Sequence, residues 1–328
     1  MIIHAKRANV YAMLEVTPGT AISDAALFVA TNVICQGHDV TFKVTPEIVK
    51  RNPLTKSLQS IASEFGQKPA SLSMKSRCYT SGTAGTAVNY ALFLKACYAS
   101  DTIVTTTSET FAQSPDQQTF LTIGIEYLSE DGTYAYRQVM KGVRGNAKLK
   151  ADKIGAPLFW EWDFNGAYAT AGGATTTPVS SITFQDEVAN GIKFWQFQTP
   201  SGLFLRQVDS FELDFGNKIE MATDITDPSG LLYGTLAEQS PTLKIGFRVV
   251  TKATADDFAD FVVGALTSAG LTLGTVPGKI LTFSTNTSAQ IESLSSKAIG
   301  ASAGFDVTLG LHRSVTGDAS DAFSVVLK

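Results

Sequence analysis

CYTSGTAGTAVNYALFLK, residues 78–95, follows an alternating approach, SLSMKSRCY, and runs through glycines and threonines into a helical pattern. Tyr90, Phe93, Leu94, Cys97 and Tyr98 recur at i, i+3, i+4, i+7 and i+8, which places one apolar stripe on a helix over 87–99. Strand, glycine loop and helix are the parts of a phosphate cradle. A Walker loop, however, needs GxxxxGK[ST], with its lysine on the β/γ-phosphates. Here Gly82 and Gly85 are followed by Thr86 and Ala87, and no lysine comes before Lys95. The dinucleotide fingerprint GxGxxG is absent as well, so the loop reads as a connector.

The same strand, loop and helix return at VVTKATADDFADFVVGAL, residues 249–266, with Phe258, Phe261, Val262, Ala265 and Leu266 in the same register. Thr254, then Asp256 and Asp257, give this second helix a capped, acidic start, and Gly270 a stop, which predicts a helix over 255–268. Its loop holds no glycine, so the connector is expected not to depend on one. Working outward, period-two alternation predicts strands at 40–44, 70–79, 119–128, 133–140, 143–151 and 158–164 in the first half. In the second half it predicts 211–215, 242–250, 279–285, 290–299, 305–311 and 322–328. Glu130-Asp131-Gly132 supplies a hairpin turn between two of the first set. The order of elements repeats, which predicts a tandem duplication of a mainly β, α+β unit, each a sandwich or barrel with one flanking helix. The expected boundaries are 1–170, a small flexible linker at 171–180, and 181–328.

Composition narrows the function. With 26 Lys+Arg against 30 Asp+Glu and no run of like charge, the chain lacks the basic stripe of a nucleic-acid binder. Only 17% of residues are charged, a sparse surface that suits coverage by partners. Cys35, Cys78 and Cys97 form no CxxC pair and are expected as buried free thiols. His4, His38 and His312 are scattered without metal spacing or a neighbouring nucleophile. Glu126, Glu130 and Asp131 are assigned to a solvated hairpin tip. No catalytic, cofactor or metal residue is expected, and no long apolar run suggests a membrane span or leader. Trp160, Trp162 and Trp195 could stack on sugars in a host-surface carbohydrate binder, but a place within the sheet is the favoured reading.

Two connections, 45–68 and 216–240, are too long for plain loops and too apolar for free ones. Ile48, Val49, Lys50, Arg51, Leu54, Leu58 and Ile61 in the first, and Ile219, Met221, Ile225, Leu231 and Leu232 in the second, are candidates for docking arms.

The ordered set resembles the tail tube, or major tail, proteins of bacteriophages with long non-contractile tails. It is carried by VYAMLEVTPGTAISDAALFVA, DVTFKVTPEIVKRNPLTKSLQS, KPASLSMKSRCYTSGTAGTAVNYALFLKACYA, GVRGNAKLKADKIGAPLFWEWDFNGAY and LRQVDSFELDFGNKIEMATDITDPSGLLYGTLAEQSPTLKI, and covers most of the chain. The resemblance implies a structural virion protein, not an enzyme, whose sheets join neighbours into a ring while the arms contact the adjoining ring. Stacked rings would form a tube through which DNA passes without sequence-specific contact. The implied partners are further copies of the chain, the tape measure protein, the tail terminator and the distal tail protein. Two units per chain predict three chains in a pseudo-sixfold ring; six chains, each with one tube and one decoration domain, is the competing arrangement.

Overall fold

The structure is a computed structural model that describes residues 3–35, 37–50, 63–169, 176–195, 199–205, 207–248, 257–299, 302–314 and 322–328. The first half holds β1 (Ile3–Leu14), β2 (Val33–Cys35), β3 (His38–Val44), β4 (Ile48–Val49), β5 (Glu64–Phe65), β6 (Pro69–Arg77), β7 (Ala99–Val104), β8 (Ser108–Gln113), β9 (Leu121–Ser129), β10 (Ala135–Ala151) and β11 (Phe159–Ala169). The second half holds β12 (Ser201–Gly202), β13 (Val208–Asp214), β14 (Asn217–Thr223), β15 (Leu231–Gln239), β16 (Thr242–Arg248), β17 (Leu266–Thr267), β18 (Ala269–Leu273), β19 (Leu281–Thr285), β20 (Ala289–Ile299), β21 (Ser302–Leu311) and β22 (Phe323–Leu327). Short helices are α1 (Asp24–Leu27), α2 (Ala91–Ala96) and α3 (Asp257–Val263). The chain is mainly β, as the alternation predicts.

One long sheet runs β17-β20-β21-β16-β13-β10-β11-β6-β3, and a second runs β12-β18-β19-β22-β8-β7. The two halves order their strands alike in the first. Each half contributes four strands in the same sequence-related order, β20-β21-β16-β13 and then β10-β11-β6-β3, and β13 of the second half pairs antiparallel with β10 of the first. Register supports the match. Leu72 faces Phe42 and Phe164, as Leu243 faces Leu213 and Leu309.

The two sheets enclose a core drawn from both halves. Trp160, Trp162 and Phe164 stack along β11, and Tyr90 and Phe93 at α2 lie against them. Further along, Phe211 meets Phe283 and Phe215 meets Phe323 across the layers. The three cysteines are free and buried, as expected.

Several elements differ from the sequence expectation. Helix α2 covers less than 87–99: it begins at Ala91, and at its other end Tyr98 takes φ +62°, a left-handed residue that stops the helix. Helix α3 stops before Gly264, at φ +68°, and Leu266 has already entered β17. The strands expected at 133–140 and 143–151 are one strand, β10, carrying a bulge at Gly142. Connection 216–240 is the β14–β15 hairpin. Strands β1, β7 and β8 are not among those the alternation singled out, and the β7–β8 turn is made by Thr106 at φ +60° without a glycine. In the 82–86 loop the glycines are required after all: Gly85 has φ +68°, and a Cβ there would lie 2.4 Å from the Val104 carbonyl and the Thr106 amide.

Candidate assembly interface

The long sheet has an apolar side facing the core and a polar side facing away. On the polar side, cations and carboxylates of neighbouring strands are matched. Lys75 lies 3.3 Å from Glu161, Lys148 lies 2.9 Å from Asp214, and Lys297 lies 3.0 Å from Asp306. Glu212 stands between Lys244 at 3.1 Å and Lys150 at 3.9 Å. Lys150, Ser210, Glu212, Lys244, Lys297 and Asp306 line one shallow depression of about 310 Å³. Among the described residues no three His, Cys, Asp or Glu side chains converge as a metal site would require.

At the seam between halves, Lys148, Leu149, Lys150 and Ala151 face Asp214, Leu213, Glu212 and Phe211. Among the described residues, the outer edges of these eight strands are β3 and the C-terminal part of β20. Only Leu266 and Thr267 pair with β20 on that side, at Gln290 and Ala289, so the edge from Ser293 to Ile299 has no strand partner among the described residues. Carrying the register of one half onto the other matches Lys148–Ala151 with Ser295–Ala298 and Phe211–Asp214 with Val40–Lys43. The two open edges are thus the counterparts of the two strands that already pair at the seam.

The β14–β15 hairpin of the second half lies across β10 and β11 of the first. Lys141 forms an ion pair with Asp227, and the Lys68 amide donates to the Ser229 carbonyl at 3.0 Å. Asn217 donates from Nδ2 to the Cys97 carbonyl at 2.7 Å and the Gly145 carbonyl at 3.1 Å. Gly142, at φ +60°, lets the hairpin approach, since a Cβ would lie 2.3 Å from the Leu232 carbonyl. The Gly142 amide donates to Glu15 Oε1 at 2.7 Å, and that carboxylate also accepts from the Gly19 amide and the Thr122 hydroxyl. Burial raises the Glu15 pKa, against these hydrogen bonds.

Of the second group of arm candidates, Leu231 is buried under this hairpin, Ile219, Met221 and Leu232 are half-buried, and Ile225 is fully exposed at the tip. In the first group, Ile48 and Val49 form β4 and pair with Phe65 and Glu64. Ile48 and Lys50 are exposed. Arg51, Leu54, Leu58 and Ile61 lie outside the described residues.

The tryptophans divide. Trp160 and Trp162 are about 1% exposed, too buried to meet a sugar, while Trp195 is about half exposed. Glu126 is not at a solvated tip. It is buried within β9, where the Tyr11 hydroxyl donates to it at 2.8 Å and Arg137 at 2.8 and 3.1 Å. The strand alternation carries no sign of these partners, which stand more than ten residues away. No family model matches the chain, and no curated protein is similar to it.

Proposed function

We propose that this chain is a structural subunit that joins copies of itself edge to edge into closed rings, stacked as a tail tube that conducts a genome. The observation that carries the reading is the β13–β10 seam. One half already pairs with the other edge to edge, and the open edges β3 and β20 are related to that seam by the internal repeat. A contact that reproduces itself at a free edge is heterologous, and it closes into a ring when the rotation allows. It also removes two sheet edges that would otherwise be aggregation hazards.

Eight strands from each of three chains make a barrel of about 24 strands, on the order of 48 Å across at ~4.8 Å spacing and ~40° tilt. Turning the second sheet inward would take about 10 Å from each side, so the polar face is assigned to the lumen. There the matched lysines and carboxylates offer few free cations to hold a polyanion. The tape measure, terminator and distal tail proteins are the partners that the resemblance adds, and the virion tail is the proposed location.

The test is light scattering and negative-stain electron microscopy of the purified chain. Three-chain rings that stack into tubes are expected. Six chains per ring would replace the trimer, and a monomer at every concentration would overturn the reading. Ser296→Lys with Ala298→Lys, two exposed positions on the core side of the open edge, is expected to give a folded chain that no longer joins its neighbours.

A further inference from the structure

The two hairpins occupy equivalent places in the repeat but very different surroundings. Ile219 pairs with Leu236 and Glu220 with Thr235; at the corresponding positions Ile48 pairs with Phe65 and Val49 with Glu64. Both arms leave a matching strand, β13 or β3, and return into a matching strand, β16 or β6. Yet Ile219 and Leu236 are half-buried against the first half, whereas Ile48 and Phe65 are 58% and 67% exposed.

The surfaces beneath the arms differ in the complementary way. The C-terminal end of α2 is covered by β14–β15: Asn217 bonds the Cys97 carbonyl, the Leu236 backbone bonds the Tyr98 hydroxyl, and Gly234 lies on the Arg144 side chain that stacks on Tyr98. Leu94 and Tyr98 are accordingly buried. Their counterparts on α3 and β17, Val262 and Leu266, are 79% and 60% exposed, with Val263 beside them. This apolar patch adjoins the open edge of β20, where Gln290 bonds the Gly264 carbonyl. An exposed patch and an exposed arm therefore stand where the internal seam has a covered patch and a seated arm.

We propose that the β4–β5 arm of one chain lies over α3 and β17 of the next chain around the ring, with Phe65 seated against Leu266 and Val262. The repeat, and not net charge, names this occupant: the described part of the arm carries Lys50 with Glu47 and Glu64, while α3 carries Asp257 and Asp260. The inference rests on the ring reading and deepens it. It assigns this part of the arm to the lateral neighbour within a ring, not to the adjoining ring.

The test mixes a Phe65→Cys chain with a Leu266→Cys chain under a mild oxidant, the three natural cysteines being buried. A disulfide-linked two-chain species is expected from the mixture and not from either variant alone. Rings that assemble normally by scattering and microscopy yet give no such species would overturn the arm assignment and leave the ring reading intact. Absence of rings from the unmodified chain would overturn both. As a second measure, Val262→Asp with Leu266→Asp changes only exposed side chains and is expected to raise the concentration for ring assembly at least tenfold. An unchanged concentration counts against the proposal.

Discussion

Leu149 of β10 and Leu213 of β13 face each other, both fully buried, at the seam that joins the two halves of the long sheet. On the polar side the same four-residue ladder carries Lys148 beside Asp214 and Lys150 beside Glu212. Unit thus meets unit through a core contact on one side and ion pairs on the other. At the open edges the counterparts of these leucines are Ser296 and Phe42, so the proposed contact between chains would be less apolar than the seam within one.

That asymmetry predicts a gain. Ser296→Leu restores the apolar pair, and burying a leucine contributes about 1.5–3 kcal/mol. The concentration at which rings form should fall roughly tenfold or more, as read by sedimentation or light scattering. No change would mean that β20 is not the joining edge.

The internal seam should behave as core. Leu213→Ala is expected to cost about 2–5 kcal/mol in denaturant unfolding. Asp214 adds a pH dependence: burial raises its pKa, but hydrogen bonds from Asn146, Lys148 and the Gly216 amide outweigh this and hold it below the ordinary carboxylate value. A depressed carboxylate stabilises the fold above its unfolded pKa and loses that contribution as pH falls through the folded one. Stability should therefore drop as pH falls below about 4, and Asp214→Asn should flatten that part of the curve.

How much of this was legible can be judged residue by residue. The alternation in FELDF and VTFKV is a local signal, and it located both strands and their equivalence. The stripes ending in Tyr98 and Leu266 mark two helices, although the left-handed Tyr98 and Gly264 stop both short of the expected C-terminal bounds. What a single stretch cannot carry is the partner of an edge. Nothing near Asp214 announces Lys148, and nothing near Leu232 announces Gly142, because these pairings join segments far apart in the chain. Of the arm residues read as too apolar for solvent, Leu231 is buried, whereas Ile48 and Ile225 are exposed. Leu231 is buried while Ile48 stays exposed because the β14–β15 hairpin lies on β10 and β11 of its own chain.

Glu109 predicts the opposite slope with pH. It is buried on β8 with Oε1 unpartnered, and its Oε2 accepts from the Val88 amide at 3.0 Å. Burial pushes its pKa up to about 7, with nearby Asp101 adding to the rise, against the Val88 amide and Lys95. A raised carboxyl gives its full stabilisation below the unfolded pKa and loses it as pH rises through the folded one. Its contribution should fall between about pH 4.3 and 7. Glu109→Gln should remove this slope and stabilise the chain at pH 8 by about 1–3 kcal/mol, measured by urea unfolding across pH. A stability curve of the same shape in the variant would remove Glu109 as its source.

The polar face yields the prediction closest to function. If it lines a conduit, its lysines must be neutralised by the protein so that phosphates do not take that place. Glu212 balances Lys244, and Asp306 balances Lys297, within one depression. Glu212→Gln with Asp306→Asn leaves both lysines without their carboxylates while changing side-chain volume little. Each lysine that then engages a phosphate of duplex DNA releases counterions and steepens the salt dependence of binding by about 0.9 log units per decade of salt. Assembled rings of the unmodified chain should bind labelled duplex weakly, with a shallow slope. The double variant should bind more tightly at low salt, with a slope steeper by roughly 1.8 for each pair of lysines engaged. Fluorescence anisotropy between about 50 and 200 mM salt reads both quantities. Strong, steeply salt-dependent binding by the unmodified rings would contradict a neutralised wall, and identical slopes in the two proteins would place this face away from the passing nucleic acid.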